Sequence, residues 1–253
     1  MLETYIRDRR KKKDILLMTH IVIGYPSLEA SFDIVRAMVS AGVDLMELQI
    51  PFSEPIADGP VILKANQASL AHGTSVKDCL RFAEKAASTF DIPFLLMTYY
   101  NILYKFGVAA FAQEIARCKV RGAIVPDLPH EEGKDYLQSM AKNTLAPIFI
   151  YSPTSPESRM QEIATHAQGF IYCVARKGVT GQQTDFSLHL QAYLDRCRRA
   201  TPLPLALGFG VKDKSDIDYL RGKVDIAVIG TQTIRVMEEQ GTDAVAAFIE
   251  SLR

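Results

Sequence analysis

The chain has 253 residues, 48% of them hydrophobic and 23% charged, an ordinary composition for a water-soluble globular protein. Lys plus Arg and Asp plus Glu number 29 each, and this balance gives no support for a nucleic acid or a membrane surface as the main partner. Cys79, Cys118, Cys173 and Cys197 are widely spaced without a CxxC pair, which points to reduced core thiols of a cytoplasmic protein rather than a disulfide framework or a zinc site.

The basic run Arg9–Lys13 followed by "ILLMTHIVIG" has the outline of a signal peptide, but Asp14, Thr19 and His20 interrupt it and no small-x-small cleavage site follows. It reads instead as a short amphipathic helix leading into a buried strand over Leu17–Ile23. Further short apolar runs follow at Asp44–Gln49, Pro93–Thr98, Gly122–Val125, Ala146–Ile150, Gly169–Val174, Pro204–Leu207 and Asp225–Ile229. Helical spacing fills the stretches between them, among others Leu28–Ser40, Val108–Cys118, Glu131–Lys142, Pro156–His166, Ser187–Arg199 and Ile234–Leu252. No apolar run approaches the roughly 20 residues of a membrane span. Near-continuous apolar strands suit a parallel sheet covered on both faces. Eight strand–helix units predict an α/β fold, a single (β/α)₈ TIM barrel with a short N-terminal helix, occupying residues 1–253 as one domain. The runner-up, an open doubly wound sheet, needs a glycine-rich turn after the first strand, where "IVIGYPS" offers Gly24 alone.

A barrel carries its chemistry at the C-terminal ends of its strands, and the unusual residues fall there. Glu47 lies in an apolar strand, where a carboxylate costs several kcal/mol unless paired or used, and Asp58 follows in a proline-bounded loop. A loop that folds back would bring both to one pocket, where two carboxylates in different surroundings can divide acid and base duties. The competing expectation is that Glu47 merely pairs with a cation such as Arg176 or Lys64. Gly181, Gly210, Gly230 and Thr231, after strands 6, 7 and 8, are candidate phosphate ligands, since glycine lets backbone N–H groups approach an anion and a helix N-terminus favours one. Any one of these glycines alone reads as a turn former, but three in neighbouring loops of a barrel favour the phosphate. Lys177 sits where a Schiff-base lysine is conceivable, but beside Arg176 in a polar loop solvation or phosphate attraction is favoured. The five histidines show no metal-ligand spacing, and surface or helix-end positions are expected for four of them.

The stretches "ELQIPFSEPIADGPVI", "LLMTYYN", "GAIVPDLPHEE", "GFIYCVARKGVTG", "LGFGV" and "VIGT" together resemble the tryptophan synthase α-subunit family over essentially the whole chain. The resemblance implies an aldol-type lyase that cleaves indole-3-glycerol phosphate to indole and glyceraldehyde 3-phosphate. It makes Glu47 the general acid/base and Asp58 the carboxylate on the indole nitrogen, and it assigns Gly181, Gly210, Gly230 and Thr231 to phosphate binding. Tyr172 and Thr180 match residues that line the pocket or brace the catalytic loop. It further implies no cofactor in this chain and an α₂β₂ complex with a β subunit that carries pyridoxal phosphate and receives the indole. Several residues depart from the family pattern. Gln49 stands where glycine is usual, Glu54 replaces Asp, Ala175 replaces Ser, "GTQ" (Gly230–Gln232) replaces "GSA", and His20 stands where an apolar or aromatic residue is usual. Gln49 is therefore expected to crowd the indole or displace Glu47. That leaves a second reading open, an attenuated subunit whose main role is to bind and activate the β partner.

Overall fold

Eight parallel strands close on themselves in chain order, β1 pairing with both β2 and β8. The computed structural model describes residues 1–175, 183–208 and 210–253, the side chains of 183–188 excepted. The strands are β1 (Leu16–Val22), β2 (Leu45–Gln49), β3 (Phe94–Met97), β4 (Gly122–Ile124), β5 (Ala146–Tyr151), β6 (Ile171–Val174), β7 (Leu205–Gly208) and β8 (Ile226–Ile229). The β1–β8 pairing, with Leu16 opposite Ile226 and Met18 opposite Val228, excludes the open doubly wound sheet. The helices outside the strands are α1 (Leu2–Arg10), α2 (Leu28–Ser40), α3 (Pro60–Ala71), α4 (Val76–Thr89), α5 (Tyr100–Phe106), α6 (Val108–Arg117), α7 (Lys134–Lys142), α8 (Glu157–His166), α9 (Gln183–Ala200), α10 (Lys214–Leu220), α11 (Thr231–Gln240) and α12 (Asp243–Ser251). None of the described helices is long and apolar enough to cross a membrane.

Local chemistry accounts for the helix starts. Ser27 caps α2 by accepting from the Ala30 N–H, Pro60 opens α3 where its missing N–H is not needed, and Ser75 and Asp78 form a capping box on α4. The helical run expected over Ile234–Leu252 is two helices, because Gly241 at φ +87° leaves the helical region and ends α11. The run expected from Glu131 begins at Lys134, since residues 129–133 are spent in turns with Glu132 N–H on Pro129 and Gly133 N–H on His130.

Alternation inside each strand sorts the side chains into two layers. Leu17, Ile21, Met46, Leu48, Phe94 and Leu96 pack outward against the helices. Leu16, Met18, Leu45, Leu95, Ile226 and Val228 fill the barrel interior. Leu2 and Ile6 of α1 join that inner cluster and close its lower end. Two carboxylates hold the same end together. Asp44, fully buried, accepts from the Leu17 N–H at 3.1 Å and from Lys13 Nζ at 2.5 Å. Asp225 accepts from the Leu205 N–H and Arg198, both at 2.9 Å, and from Arg10 at 3.3 Å. Burial opposes the Asp225 charge, but these donors outweigh it and hold the carboxyl below its ordinary pKa. Among the described residues the upper end has no such plug, and the polar inward residues lie there.

Candidate active site

Strand parity decides which side chains meet at the upper end. His20 shares the parity of Leu16 and Met18, and Glu47 and Gln49 share that of Leu45, so all three point into the barrel. The β1–β2 register sets His20 directly opposite Glu47. Its ring Nδ1 lies 3.0 Å from Glu47 Oε1, with the two residues 4% and 3% exposed. The Tyr172 hydroxyl donates to the same Oε1 at 3.4 Å. Glu47 Oε2 and His20 Nε2 are buried with no hydrogen-bond partner among the described residues.

The loop after β2 folds back, as an acid pair sharing one pocket requires. Backbone bonds from Ile56 N–H to Glu54 and from Asp58 N–H to Pro55 tighten it, and Phe52 stacks on Tyr99 with ring centres 5.0 Å apart. Asn66 of α3 accepts from the Phe52 N–H at 2.9 Å, and the Tyr99 hydroxyl accepts from the Ala57 N–H at 3.2 Å. Asp58 is thereby delivered to Gln49, whose Nε2 donates to Asp58 Oδ2 at 2.6 Å and to Asn66 Oδ1 at 3.3 Å. Asn66 Nδ2 adds a longer bond to Oδ2 at 3.4 Å. The crowding expected of Gln49 is thus corrected: its side chain folds onto Asp58 and binds it.

Electrostatics distinguish the groups. Burial raises the Asp58 pKa above the usual carboxylate value, against the lowering effects of the Gln49 hydrogen bond, the His20 charge and Tyr99. For His20, burial is the strongest influence and opposes the cation. The hydrogen bond and charge of Glu47, the charge of Asp58 and the Gln49 side chain outweigh it, and the His20 pKa ends above its ordinary value. Burial and the neighbouring Glu47 push Tyr172 far upward, so its hydroxyl remains a donor near neutral pH.

Glu47, Asp58, Tyr172, Gly210, Gly230 and Thr231 all line one cavity of about 580 Å³. Its walls include Met97, Ile124, Ile150 and Val228, an apolar lining suited to a flat aromatic ring. On the β8 side of the cavity, Thr231 is the first residue of α11 and Gly230 precedes it, so a helix N-terminus opens beside the cavity. Gly210 adopts φ +88°, a backbone that favours glycine. At Gly208 a Cβ would come within 3.0 Å of the Tyr172 hydroxyl oxygen, so the missing side chain makes room for that ring. Thr180 and Gly181, with Arg176 and Lys177, lie outside the described residues. Lys64, the other cation expected to neutralise Glu47, instead meets Glu238 at 2.8 Å on the surface.

The sequence reading missed His20, Asn66 and Tyr99, and for His20 and Gln49 a signal was available in their parity with the inward Leu16 and Leu45. Two of the five histidines are buried, not one. His130 is 6% exposed and stacks on His166 at 4.9 Å, while His72, His166 and His189 are exposed.

The arrangement is an acid/base candidate and a braced carboxylate sharing an apolar slot with a helix N-terminus, and known proteins match the chain that carries it. The family model described as tryptophan synthase alpha chain matches residues 6–252. The tryptophan synthase alpha chain of Syntrophotalea carbinolica is 66% identical over 253 residues, covering 100% of both chains. That of Desulforapulum autotrophicum is 61% identical over 252 residues, again covering 100% of both. Among solved structures, tryptophan synthase from M. tuberculosis superposes with a TM-score of 0.91 at 27% identity, covering 99% of this chain and 97% of that one. The tryptophan synthase alpha subunit of Legionella pneumophila does so with a TM-score of 0.91 at 28% identity, covering 99% and 96%. A match along nearly the whole sequence, at up to two residues in three, settles the kinship: this chain belongs to the tryptophan synthase alpha chain family.

Proposed function

We propose that Glu47 and Asp58 divide the work of the lyase reaction of this family, the cleavage of indole-3-glycerol phosphate to indole and glyceraldehyde 3-phosphate for L-tryptophan biosynthesis. Breaking the bond from indole C3 to the glycerol carbon needs an electron sink, and an aromatic indole is a poor one. Protonation at C3 turns the ring into an indoleninium whose C=N⁺ accepts the bonding pair. Glu47 supplies that proton and then takes the one released by the glycerol hydroxyl, a duty typically worth about 10² to 10⁴-fold in rate. Asp58, ionised, sits at the ring nitrogen and stabilises the positive charge there, with Gln49 and Asn66 fixing it in advance of the reaction. Gly181, Gly210, Gly230 and Thr231 are assigned the phosphate, the last two at the α11 N-terminus, and Tyr172 and Thr180 are assigned to lining the slot or bracing the catalytic loop. The observation that carries the reading is that the two carboxylates and this helix N-terminus line one cavity with apolar walls.

In this reading the chain is the α subunit of a cytoplasmic α₂β₂ complex, holds no cofactor itself, and passes indole to a β subunit that carries pyridoxal phosphate. Ile56, 79% exposed on the Asp58 loop, is an apolar side chain that such a partner would cover. Communication between the subunits would run through the same loop, which bears both Ile56 and Asp58. With Gln49 bonded to Asp58, nothing in the site or the comparisons favours an attenuated subunit.

Indole release by the purified chain, with and without a β subunit, tests the assignment. Glu47→Gln keeps the shape, removes the titrating proton and is expected to abolish release with the fold intact. Asp58→Asn is expected to lose most of the rate, because a neutral amide cannot balance charge on the indole nitrogen. Wild-type turnover in either variant removes that residue from the mechanism.

A further inference from the structure

We propose that His20 is a positioning residue for Glu47: it ties down Oε1, leaves Oε2 to exchange protons with the substrate, and balances the carboxylate formed midway through the reaction. The inference rests on Glu47 being the acid/base group.

Three observations carry it. The two oxygens of Glu47 are unequal, because Oε1 faces His20 Nδ1 at 3.0 Å and the Tyr172 hydroxyl at 3.4 Å, while Oε2 has no partner among the described residues. A buried oxygen without a protein partner is the one placed to serve a ligand. The ring is held from both sides, in register with Glu47 on β2 and against Gly230 after β8, where a Cβ would lie 3.5 Å from the His20 Cβ. Finally, two carboxylates share the cavity, and His20 is the basic side chain lining it among the described residues. The titratable groups facing it there are Glu47 from β2, Asp58 from the loop after β2 and Tyr172 from β6, and Gly230 brings backbone alone. With Glu47 ionised, as it is midway through the reaction, their balance favours the imidazolium, whose Nδ1–H donates to Oε1.

The chemistry then needs no proton from His20. The Oε2–H bond breaks and C3–H forms, leaving the electron pair on Glu47 beside the imidazolium. The bond from C3 to the glycerol carbon breaks and its pair passes to the ring C=N⁺, restoring the aromatic indole. The hydroxyl proton moves to Oε2 and its O–H pair becomes the aldehyde C=O. The net transfer is one proton from hydroxyl to C3, and His20 keeps its own protons throughout. Charge on Glu47 appears only between the two transfers, so the histidine acts on the reaction more than on binding.

The test uses His20→Phe, His20→Asn and Glu47→Gln in the full chain with its β subunit, with thermal unfolding run on each. In His20→Phe, kcat for indole release is expected to fall roughly 10- to 100-fold, the worth of a hydrogen bond to a charged group, with KM changed by less than about twofold. Asparagine places its amide N–H near the former Nδ1 and does not titrate. His20→Asn is therefore expected to recover at least half of the lost rate on a logarithmic scale, and to lack the alkaline decline expected of the wild type as the imidazolium deprotonates. Wild-type kcat in His20→Phe, or a pH profile unchanged in His20→Asn, overturns the inference. If the phenylalanine variant does not fold, the rate and pH profile of His20→Asn decide alone. An inactive Glu47→Gln beside a fully active His20→Phe defeats this inference and spares the role of Glu47, whereas an active Glu47→Gln defeats both.

Discussion

Replacing Gln49 by Leu separates a brace from an obstruction. The side chain is fully buried, and its amide donates to Asp58 Oδ2 at 2.6 Å, the shortest bond that carboxylate receives from the two amides around it. Leucine fills nearly the same volume without a donor. A hydrogen bond to a charged group is worth about 1.5–3 kcal/mol, and each 1.36 kcal/mol is tenfold in rate, so full loss of the brace lowers kcat/KM by roughly 10- to 150-fold. Asn66, at 3.4 Å from the same oxygen, remains as a weaker substitute, which places the expected loss in the lower half of that range. A second signature is independent of the rate at any one pH. Asp58 already titrates above the usual carboxylate value because it is buried, and the Gln49 bond is the foremost influence holding it down. The ionised form is the working one, so rate is lost as pH falls through this pKa. Removing Gln49 raises the pKa further, and the acid limb of the profile moves to higher pH. Steady-state indole release across pH, with thermal unfolding as a control, reads both effects. An unchanged rate with an unmoved acid limb refutes the brace, and a faster enzyme restores the idea that Gln49 obstructs the pocket.

Gly230→Ala tests the phosphate end: at φ −116° the backbone accepts a side chain and a Cβ there only reaches ordinary contact with His20 at 3.5 Å, so the expected result is a KM raised at least about tenfold and lost inhibition by inorganic phosphate, with little change in thermal stability. Retained phosphate inhibition would make Gly230 a turn former alone. Gly210 is the poorer choice, because φ +88° strains any side chain there and confuses binding with folding. Asp44→Asn at the opposite end is expected to destabilise the fold by about 2 kcal/mol in urea unfolding, less than the 3–5 kcal/mol typical of a fully buried pair because Lys13 is 26% exposed. Its kcat should match the wild type, and a slower enzyme would show that the two ends of the barrel are coupled.

The barrel was legible because each strand announced itself as a short apolar run between helical stretches, and strand count and chain length together favour closure. Glu47 and Asp58 were legible for the opposite reason, as acids conspicuous in apolar or proline-bounded surroundings. His20 and Gln49 were misjudged because a polar residue inside an apolar strand was treated as an interruption or a misfit. The information lay in parity, which sends His20 inward with Leu16 and Met18, and Gln49 inward with Leu45 and Glu47. Asn66 gave no comparable sign, since its role depends on a fold-back of the Asp58 loop that spacing alone cannot specify. The helix break at Gly241 was overlooked because apolar spacing continues across it, while the backbone does not.

The polar anchors of Asp44 and Asp225 and the plug of Leu2 and Ile6 sit at one mouth of the barrel, and the proton-handling groups sit at the other. Packed apolar side chains such as Leu45, Leu95 and Val228 separate the two sets. Free-energy effects of residues that share no partners add nearly independently. A lineage carrying this fold can therefore adapt to a hotter or colder habitat by editing its lower rim while its upper rim keeps the same reaction, and heritable variation in durability need not pass through the chemistry at all.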